Sequence, residues 1–198
     1  MREGGNALPT ELHIVTTAEG ADRARLALLS AQPGWFHRLF ADYRLPPIAF
    51  DDSHIHVLAG PDGLPLPDIR SADDNARAAD QVAELVRQLT SDDVAQLHVS
   101  LAGGRKTLGF FAGYALSLWG RDADRLSHVL VGEPCEPSWD FFYPTPCERI
   151  VQTRDGKLVD CALAQVTLAE LPFVRLRHGL PRALLDGRTG FADAVAAA

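Results

Sequence analysis

The chain has 198 residues and a mass of 21.5 kDa, a size that suits one domain or one domain with an appendage. Hydrophobic residues make up 46% of it, which is enough for a buried core. The net charge of −7 excludes a general binder of nucleic acid or of membrane surfaces, so an anionic ligand has to be held by a local site.

The cysteines and the first residues indicate the compartment. Cys135, Cys147 and Cys161 are an odd number of widely spaced residues without a C-x-x-C pair, which argues against a disulfide framework and favours a reducing cytosol. No apolar run reaches the roughly 18 residues needed to span a bilayer. The polar start MREGGNALPTE lacks the apolar region of a secretory signal. We therefore expect a soluble, cytoplasmic protein with no membrane or DNA partner.

The first third of the chain predicts two strands and two helices. In chain order, patterning and breakers give a short buried strand at Leu12–Thr17, a helix at Glu19–Ala31, a short helix at Trp35–Tyr43, a strand at His54–Leu58 and a turn-rich loop at Ala59–Asp68. The first strand ends in two hydroxyl residues, Thr16 and Thr17.

The middle of the chain predicts a helix, a strand, a second helix and a second strand, in that order. Ser71 and Asp74 fit a capping box in front of a helix whose apolar residues recur at three- and four-residue spacing. That helix, ending near Leu89, is followed by a core strand at Val94–Leu101, a helix after Gly104 and a strand at Leu126–Val131. Short connections in this order imply parallel neighbouring strands with a right-handed crossover.

Beyond Gly132 the composition changes. Residues 133–148 are rich in proline and aromatics and predict an ordered loop. Extended segments follow at Arg149–Thr153, Lys157–Leu171 and Phe173–Arg177. The sequence thus predicts an α/β fold with a Rossmann-like parallel sheet flanked by helices in residues 1–148, and a small C-terminal β addition with a frayed tail in residues 149–198.

The most informative segment is SLAGGRKTLGFFAGYALSLW, residues 100–119. A strand that ends here, a Gly103–Gly104 turn and a new helix would point free backbone N–H groups outward, and such groups bind anions. In parallel α/β sheets, ligands gather at this carboxyl end of the strands. The side chains available to an anion are the cations Arg105 and Lys106 and the hydroxyls Ser100 and Thr107. The alternative is that the glycines only permit a tight turn while both cations are solvated.

Two better-known nucleotide loops do not fit this segment. A Walker A loop needs glycine directly before its lysine, where Arg105 stands, and the glycines at 103, 104, 109 and 113 have the wrong spacing for G-x-G-x-x-G. The helix LGFFAGYALSLW is apolar on nearly all sides, so we expect it to be buried or pressed against a partner. Its pair Gly109 and Gly113 fits close packing on the sheet or a dimer contact.

No pattern in the sequence requires a metal or another cofactor. The seven histidines lack H-E-x-x-H or other ligand spacing, and the sequence has no G-x-S-x-G elbow. His54 and His56 share one strand face. A metal bound there would need further ligands from elsewhere, so we interpret them as ordinary residues of an edge strand. His13, His98 and His128 lie in predicted strands and are expected in or near the core.

The chain resembles the CRISPR-associated Rossmann-fold (CARF) proteins, and more narrowly the ring nucleases that consist of little more than that domain. The resemblance rests on SLAGGRKTLGFFAGYALSLWGRDADRLSHVLVGEP, LHIVTTAEGADRARLALL, the text at Asp52–Leu58 and PFVRLR at Pro172–Arg177. It runs from about Leu12 to Arg177, and SLAGGRKT is its most specific part. Family members usually begin with one more strand–turn–helix unit, which we expect this sequence to lack before its match at Leu12.

The resemblance implies a homodimer that binds cyclic oligoadenylate, a tetra- or hexa-adenylate ring that type III CRISPR systems use as a second messenger. Ring nucleases cleave it without a metal or cofactor, because a ribose 2′-hydroxyl attacks the adjacent phosphate and leaves a 2′,3′-cyclic phosphate end, which switches off antiviral signalling. On this basis the expected catalytic residues are Lys106, Arg105 and Ser100, and the expected ligand-binding residues are Thr16, Thr17, Gly103, Gly104 and Thr107.

The sequence leaves three functions open. The first is a ring nuclease, and the second is a non-catalytic sensor that binds the same ligand and regulates a partner. The third is a structural α/β domain whose glycine turn holds nothing. We recognise no effector nuclease domain in the sequence, which favours the first function over the second.

Overall fold

The computed structural model describes residues 8–180, which form seven strands and four α-helices. The strands are β1 (Ile14–Thr16), β2 (Ile55–Val57), β3 (His98–Ser100), β4 (Arg125–Val131), β5 (Ile150–Gln152), β6 (Leu158–Asp160) and β7 (Val166–Glu170). The α-helices are α1 (Ala18–Ala24), α2 (Trp35–Tyr43), α3 (Ala72–Leu89) and α4 (Lys106–Trp119). A π-helical turn, Arg25–Leu29, continues α1. No helix in this described part is both long and apolar enough to cross a bilayer.

Backbone hydrogen bonds join the strands into three small sheets. β1 and β2 pair in parallel, and β5 and β6 form an antiparallel pair. In the third sheet, β4 lies between β3, which is parallel to it, and β7, which is antiparallel. The mixed α/β class is therefore confirmed. The expected Rossmann-like parallel sheet is not found in residues 8–180, because no ladder of hydrogen bonds joins β1–β2 to β3–β4 there.

The strands are shorter than the sequence predicts. The strands expected at Leu12–Thr17, His54–Leu58 and Val94–Leu101 contribute only three residues each. The predicted strand at Val94–Leu101 was too long because its length was judged from hydrophobicity. Val94 is apolar, but it is 92% exposed and no neighbouring strand runs beside it. The helix expected at Glu19–Ala31 likewise divides into α1 and the π-helical turn.

The C-terminal β addition is only partly separate from the preceding sheet. β7 pairs with β4 from Ser127–Glu170 to Val131–Val166 and so completes the three-stranded sheet. The hairpin β5–β6 is a sheet of its own, and its Val151 and Val159 pack on Cys135 and Cys161. The division at residues 148 and 149 stays a prediction, and the tail after residue 180 lies outside the described residues.

The parallel pair β1–β2 is packed against helices on both faces. Successive residues of a strand point to opposite faces, so the two faces contact different helices. Ile14 and Ile55 pack with Ala21 of α1 on one face. Val15 packs with Val82 of α3 and Phe111 of α4 on the other. The start of each strand and the turn after it are thereby held between two helical layers.

Helix α4 packs against both parallel strand pairs. Its Phe111 joins the cluster beside β2, and its Leu116, which is 0% exposed, packs in the cluster that contains Leu126 of β4. A Cβ at Gly113 would lie 3.5 Å from the Leu126 side chain, and one at Gly109 would lie 3.7 Å from Leu101. Gly109 and Gly113 therefore allow close packing of α4 on the sheet, which is the first of the two alternatives that the sequence left open.

Helix ends are satisfied by named side chains. At the start of α3, Ser71 Oγ accepts from the Asp74 N–H at 3.0 Å and Asp74 Oδ2 accepts from the Ser71 N–H at 3.0 Å, which confirms the capping box. At the other end of the core, Arg177 donates to the Thr90 and Trp119 carbonyls, which follow α3 and close α4. Arg175 donates to three carbonyls between α4 and β4.

These arginine contacts correct the prediction of an extended segment at Phe173–Arg177. The segment forms no strand, because its backbone meets the end of α4 rather than a strand edge. The Leu176 N–H donates to the Ser117 carbonyl at 2.8 Å. The PFVRLR text therefore has a structural role, since its two arginines cap carbonyls that would otherwise lack donors.

Candidate anion-binding site

The candidate site is the turn between β3 and α4. Gly103 and Gly104 have φ angles of +85° and +72°, a left-handed conformation that favours glycine. Arg105 is the N-cap residue of α4, and its side chain makes no capping hydrogen bond. The first N–H groups of a helix have no intrahelical partner, so this turn presents backbone donors beside a partial positive charge. The strand–turn–helix geometry expected from the sequence is confirmed.

Lys106, the first residue of α4, is the cation that this turn leaves available. Its side chain is exposed and forms no hydrogen bond or ion pair with any other residue in the described part of the chain. Thr107 follows it and is exposed as well. Ser100, at the end of β3, is exposed, and its Oγ accepts from the Ala102 N–H at 3.3 Å. These three side chains and both glycines lie within eight consecutive residues.

Arg105 is held by a carboxylate that the sequence did not point to. Its Nε donates to Asp68 Oδ1 at 2.9 Å and its second nitrogen donates to Asp68 Oδ2, a two-pronged ion pair. Asp68 is the more enclosed partner, with 12% of its side chain exposed against 54% for Arg105. Hydrogen bonding from Arg105, with smaller help from the Ile69 N–H, keeps the pKa of Asp68 below its usual value. Half of the positive charge expected at the turn is therefore neutralised.

No local pattern predicts this ion pair. The two residues are 37 positions apart, and Asp68 lies in a loop whose composition predicts only turns. The contact arises because the loop after β2 crosses in front of the start of α4. A carboxylate near an exposed arginine is a common surface pair, so residue type alone would not have selected Asp68 among the acidic residues.

Thr16 and Thr17 lie at the carboxyl end of β1, in the turn that leads into α1. Thr17 is buried, and its Oγ1 accepts from the Gly20 N–H at 3.4 Å as the N-cap of α1. Thr16 is half-buried, and its carbonyl accepts from the Leu58 N–H at 2.8 Å. The structure thus shows a capping role for Thr17 in addition to the ligand-binding role that stays a prediction.

The loop after β2 connects the two turns. The Ala18 N–H, just beyond Thr17, donates to the Leu66 carbonyl at 2.9 Å, and two residues later Asp68 holds Arg105. No direct hydrogen bond joins Thr16 or Thr17 to the glycine turn in residues 8–180. The predicted residues therefore form two groups, one on each βα turn, linked by three residues of a single loop.

The histidines are placed differently from one another. His98 is exposed and its Nε2 lies 2.7 Å from Ser127 Oγ, so its expected place in the core is wrong, whereas His13 and His128 are half-buried. His54 and His56 contact His13 rather than standing alone on a strand edge. Across the described residues, no three His, Cys, Asp or Glu side chains are arranged to hold a metal ion.

These features define a mixed α/β protein in which, within residues 8–180, the start of α4 presents backbone donors beside an exposed, unpaired lysine after the end of a strand. A family model described as CRISPR-associated protein NE0113 matches residues 1–197. Since the match covers nearly the whole chain, this chain belongs to that family of CRISPR-associated proteins. No curated protein matches the sequence.

Proposed function

We propose that this protein is a ring nuclease that binds cyclic oligoadenylate and cleaves it by attack of a ribose 2′-hydroxyl, which ends type III CRISPR signalling. Membership of a CRISPR-associated family supports a role in that defence. The observation that carries the proposal is the turn before α4, where Lys106 stands exposed beside backbone donors on two left-handed glycines. The resemblance of SLAGGRKT to ring nucleases supplies the identity of the ligand.

The proposed reaction needs positioning and charge stabilisation rather than a bound metal. The 2′-oxygen bonds to phosphorus and loses its proton, the P–O5′ bond breaks, and the 5′-oxygen leaves as a hydroxyl after gaining a proton. Negative charge grows on the non-bridging phosphate oxygens in the transition state. In the proposed reaction Lys106 stabilises that charge, with N–H groups of Gly103 and Gly104 as further donors. Ser100 and Thr107 would hold ribose or phosphate oxygens in line.

The charge at the turn suits a phosphodiester. Each phosphate of a cyclic oligoadenylate carries one negative charge, and the Arg105–Asp68 pair leaves one unpaired cation, Lys106, at the start of α4. A nucleoside triphosphate carries several negative charges on adjacent phosphates and would need more cations or a metal ion. In a homodimer, two-fold symmetry would offer one such turn to each side of a ring of repeating phosphates.

The alternative function is a sensor that binds the same ring without cleaving it. The engagement of Arg105 by Asp68 favours this alternative, because it removes one of the two cations that the cleavage hypothesis assigned to the scissile phosphate. A sensor needs only the affinity of the turn for phosphate. The two functions are separated by the fate of the ligand and not by its binding.

The test is incubation with labelled cyclic tetra- and hexa-adenylate in EDTA, comparing the wild type with Lys106→Ala. We expect linear products from the wild type and at least a hundredfold slower cleavage by the variant, about the effect of losing one donor to a developing oxyanion. Lys157→Ala is the matched control, since Lys157 is exposed and paired with Asp155 on the β5–β6 turn. Binding without products in the wild type would establish the sensor, and absence of binding would exclude both functions.

A further inference from the structure

One aromatic ring stands exposed on a helix that is otherwise covered. From Leu108 to Trp119, every residue of α4 is buried or half-buried except Phe110, which is 63% exposed. Its neighbour Phe111 is 8% exposed and packs in the cluster beside β2, so the core uses that ring and not the Phe110 ring. A single exposed apolar side chain is ordinary on a protein surface, and the position of this one matters more than its exposure.

Phe110 lies one helical turn after Lys106. Residues four apart lie on the same face of a helix, and a helical side chain leans back toward the amino end, so the Phe110 ring covers the surface beside Lys106. Lys106 is exposed and unpaired in residues 8–180, and the glycine turn with its backbone donors lies directly before it. An unpaired cation, backbone donors and an aromatic ring thus share one patch of surface.

The ring contacts of Phe110 leave it open toward the start of the helix. Phe111 meets it edge-on and Tyr114 meets it at a tilt of 39°, each with 5.9 Å between ring centroids. Tyr114 is one turn farther along α4, on the side away from Lys106. A flat group that approaches from the glycine turn can therefore stack on the Phe110 ring without displacing either neighbour.

These groups match the two halves of a nucleotide. A phosphate needs a cation and N–H donors, and a nucleobase needs an aromatic surface on which to stack. One helical turn rises about 5.4 Å, a separation that a ribose spans between its phosphate and its base. We propose that Phe110 is a stacking platform for the adenine next to the phosphate held at Lys106. This inference rests on the proposed function, because it assigns a base-binding residue for the same ligand.

An apolar partner surface fits this patch less well than a nucleotide does. A surface that covered Phe110 by hydrophobic contact would also remove water from Lys106 without supplying a counter-charge, which is costly. A nucleotide supplies the anion and the ring together. Stacking responds to the size of the base rather than to its hydrogen-bonding edge, so the platform favours adenine over a smaller pyrimidine.

The experiment measures dissociation constants by equilibrium dialysis for two rings that lack the attacking 2′-hydroxyl, cyclic tetra-(2′-deoxyadenylate) and cyclic tetra-(2′-deoxycytidylate). Phe110→Ala should bind the adenylate ring roughly tenfold more weakly than the wild type and lose the preference for it over the cytidylate ring. Phe110→Tyr keeps a stacking ring and should bind as the wild type does. Leu158→Ala is the control, since Leu158 is 73% exposed on β6, and it should change neither constant.

Three results would overturn the platform while leaving the proposed function standing. The first is equal binding of the adenylate ring by wild type and Phe110→Ala. The second is an equal loss of affinity for both rings, which would indicate a disturbed helix start. The third is dissociation of a wild-type dimer by Phe110→Ala in sedimentation, which would show a contact between copies. A wild type that neither binds nor cleaves an oligoadenylate ring would exclude the proposed function and the platform together.

Discussion

Two adjacent glycines decide the shape of the candidate site at the scale of single residues. Gly103 and Gly104 both have positive φ, and a Cβ at either position would meet nothing within 4 Å. Glycine is therefore favoured here by the backbone conformation, and not because a larger side chain would clash. The free space around the turn is also what a phosphate would need in order to reach the backbone donors.

Gly104→Ala should disturb the turn without creating a clash. An alanine in the left-handed region costs about 1 kcal/mol, so the turn would relax and its N–H groups would lose their alignment. We expect a loss of roughly 1 kcal/mol in the free energy of unfolding by urea titration, with weaker binding of cyclic oligoadenylate. Gly179→Ala is the control, because that glycine also has open space around it but no positive φ. Equal effects of the two variants would contradict the argument.

Asp68 sets the charge that the turn offers. Asp68→Asn should release Arg105 and raise the affinity for labelled cyclic tetra-adenylate by a few-fold, with a steeper fall of affinity as salt is added. Asp73→Asn makes the same charge change on the exposed start of α3 and should leave the affinity unchanged. Equal or weaker binding by Asp68→Asn, measured by equilibrium dialysis, would show that Asp68 positions Arg105 for the ligand instead of withholding it.

At the scale of elements, signals between near neighbours in sequence were predictive. The Ser71–Asp74 capping box marked the start of α3, and Pro33–Gly34 before an amphipathic run marked α2 at Trp35–Tyr43. Caps, breakers and helical periodicity act over three or four residues, so a single sequence contains them. The same holds for the glycine turn, whose geometry follows from two residues.

Strand lengths and pairings were less predictable, because they depend on residues distant in sequence. Val94 has the apolar character of a strand residue but is 92% exposed, since no strand lies beside it. β7 joins β4 instead of forming a separate addition, and Arg175 and Arg177 reach helix ends more than 50 positions away. The Asp68–Arg105 pair belongs to the same class of contact.

A buried ion pair fixes the connection from α4 into β4. Asp124 is 1% exposed, accepts from the Leu97 N–H at 2.8 Å, and pairs with Arg121. Burial alone would raise its pKa, but hydrogen bonds from Arg121 and from the backbone together bring the pKa of Asp124 below 3.8. Its contribution to stability is therefore present above pH 3.8 and is lost as the pH falls toward the lower folded value.

Asp124→Ala should be among the more damaging single changes in the chain. It leaves Arg121, whose side chain is 11% exposed, without its carboxylate partner, and breaking a buried ion pair in this way costs about 3–5 kcal/mol. Thermal unfolding at pH 7 should show the loss, and the difference from wild type should shrink below pH 3.8. Asp122→Ala removes an equal charge from an 89% exposed side chain and should change little. A loss below 1 kcal/mol for Asp124→Ala would contradict the pairing.

For the whole molecule, α3 and α4 act as a common layer over two sheets that no hydrogen-bond ladder joins in residues 8–180. The βα turns at Thr17 and at Gly104 are held in place by that layer and by the loop that contacts both. With a net charge of −7 over the chain, attraction for an anion depends on the local arrangement at the start of α4. Composition argues against a general polyanion binder, so the proposed binding of cyclic oligoadenylate rests on this turn.

The most direct test of cleavage at this turn is the mass of the product ends after the wild-type protein is incubated with cyclic tetra-adenylate or cyclic hexa-adenylate in EDTA. The account predicts linear oligoadenylates with a 5′-hydroxyl and a 2′,3′-cyclic phosphate, because the 2′-oxygen is the nucleophile. Products with a 5′-phosphate, which require water as the nucleophile, or rings that remain intact while bound, would contradict it.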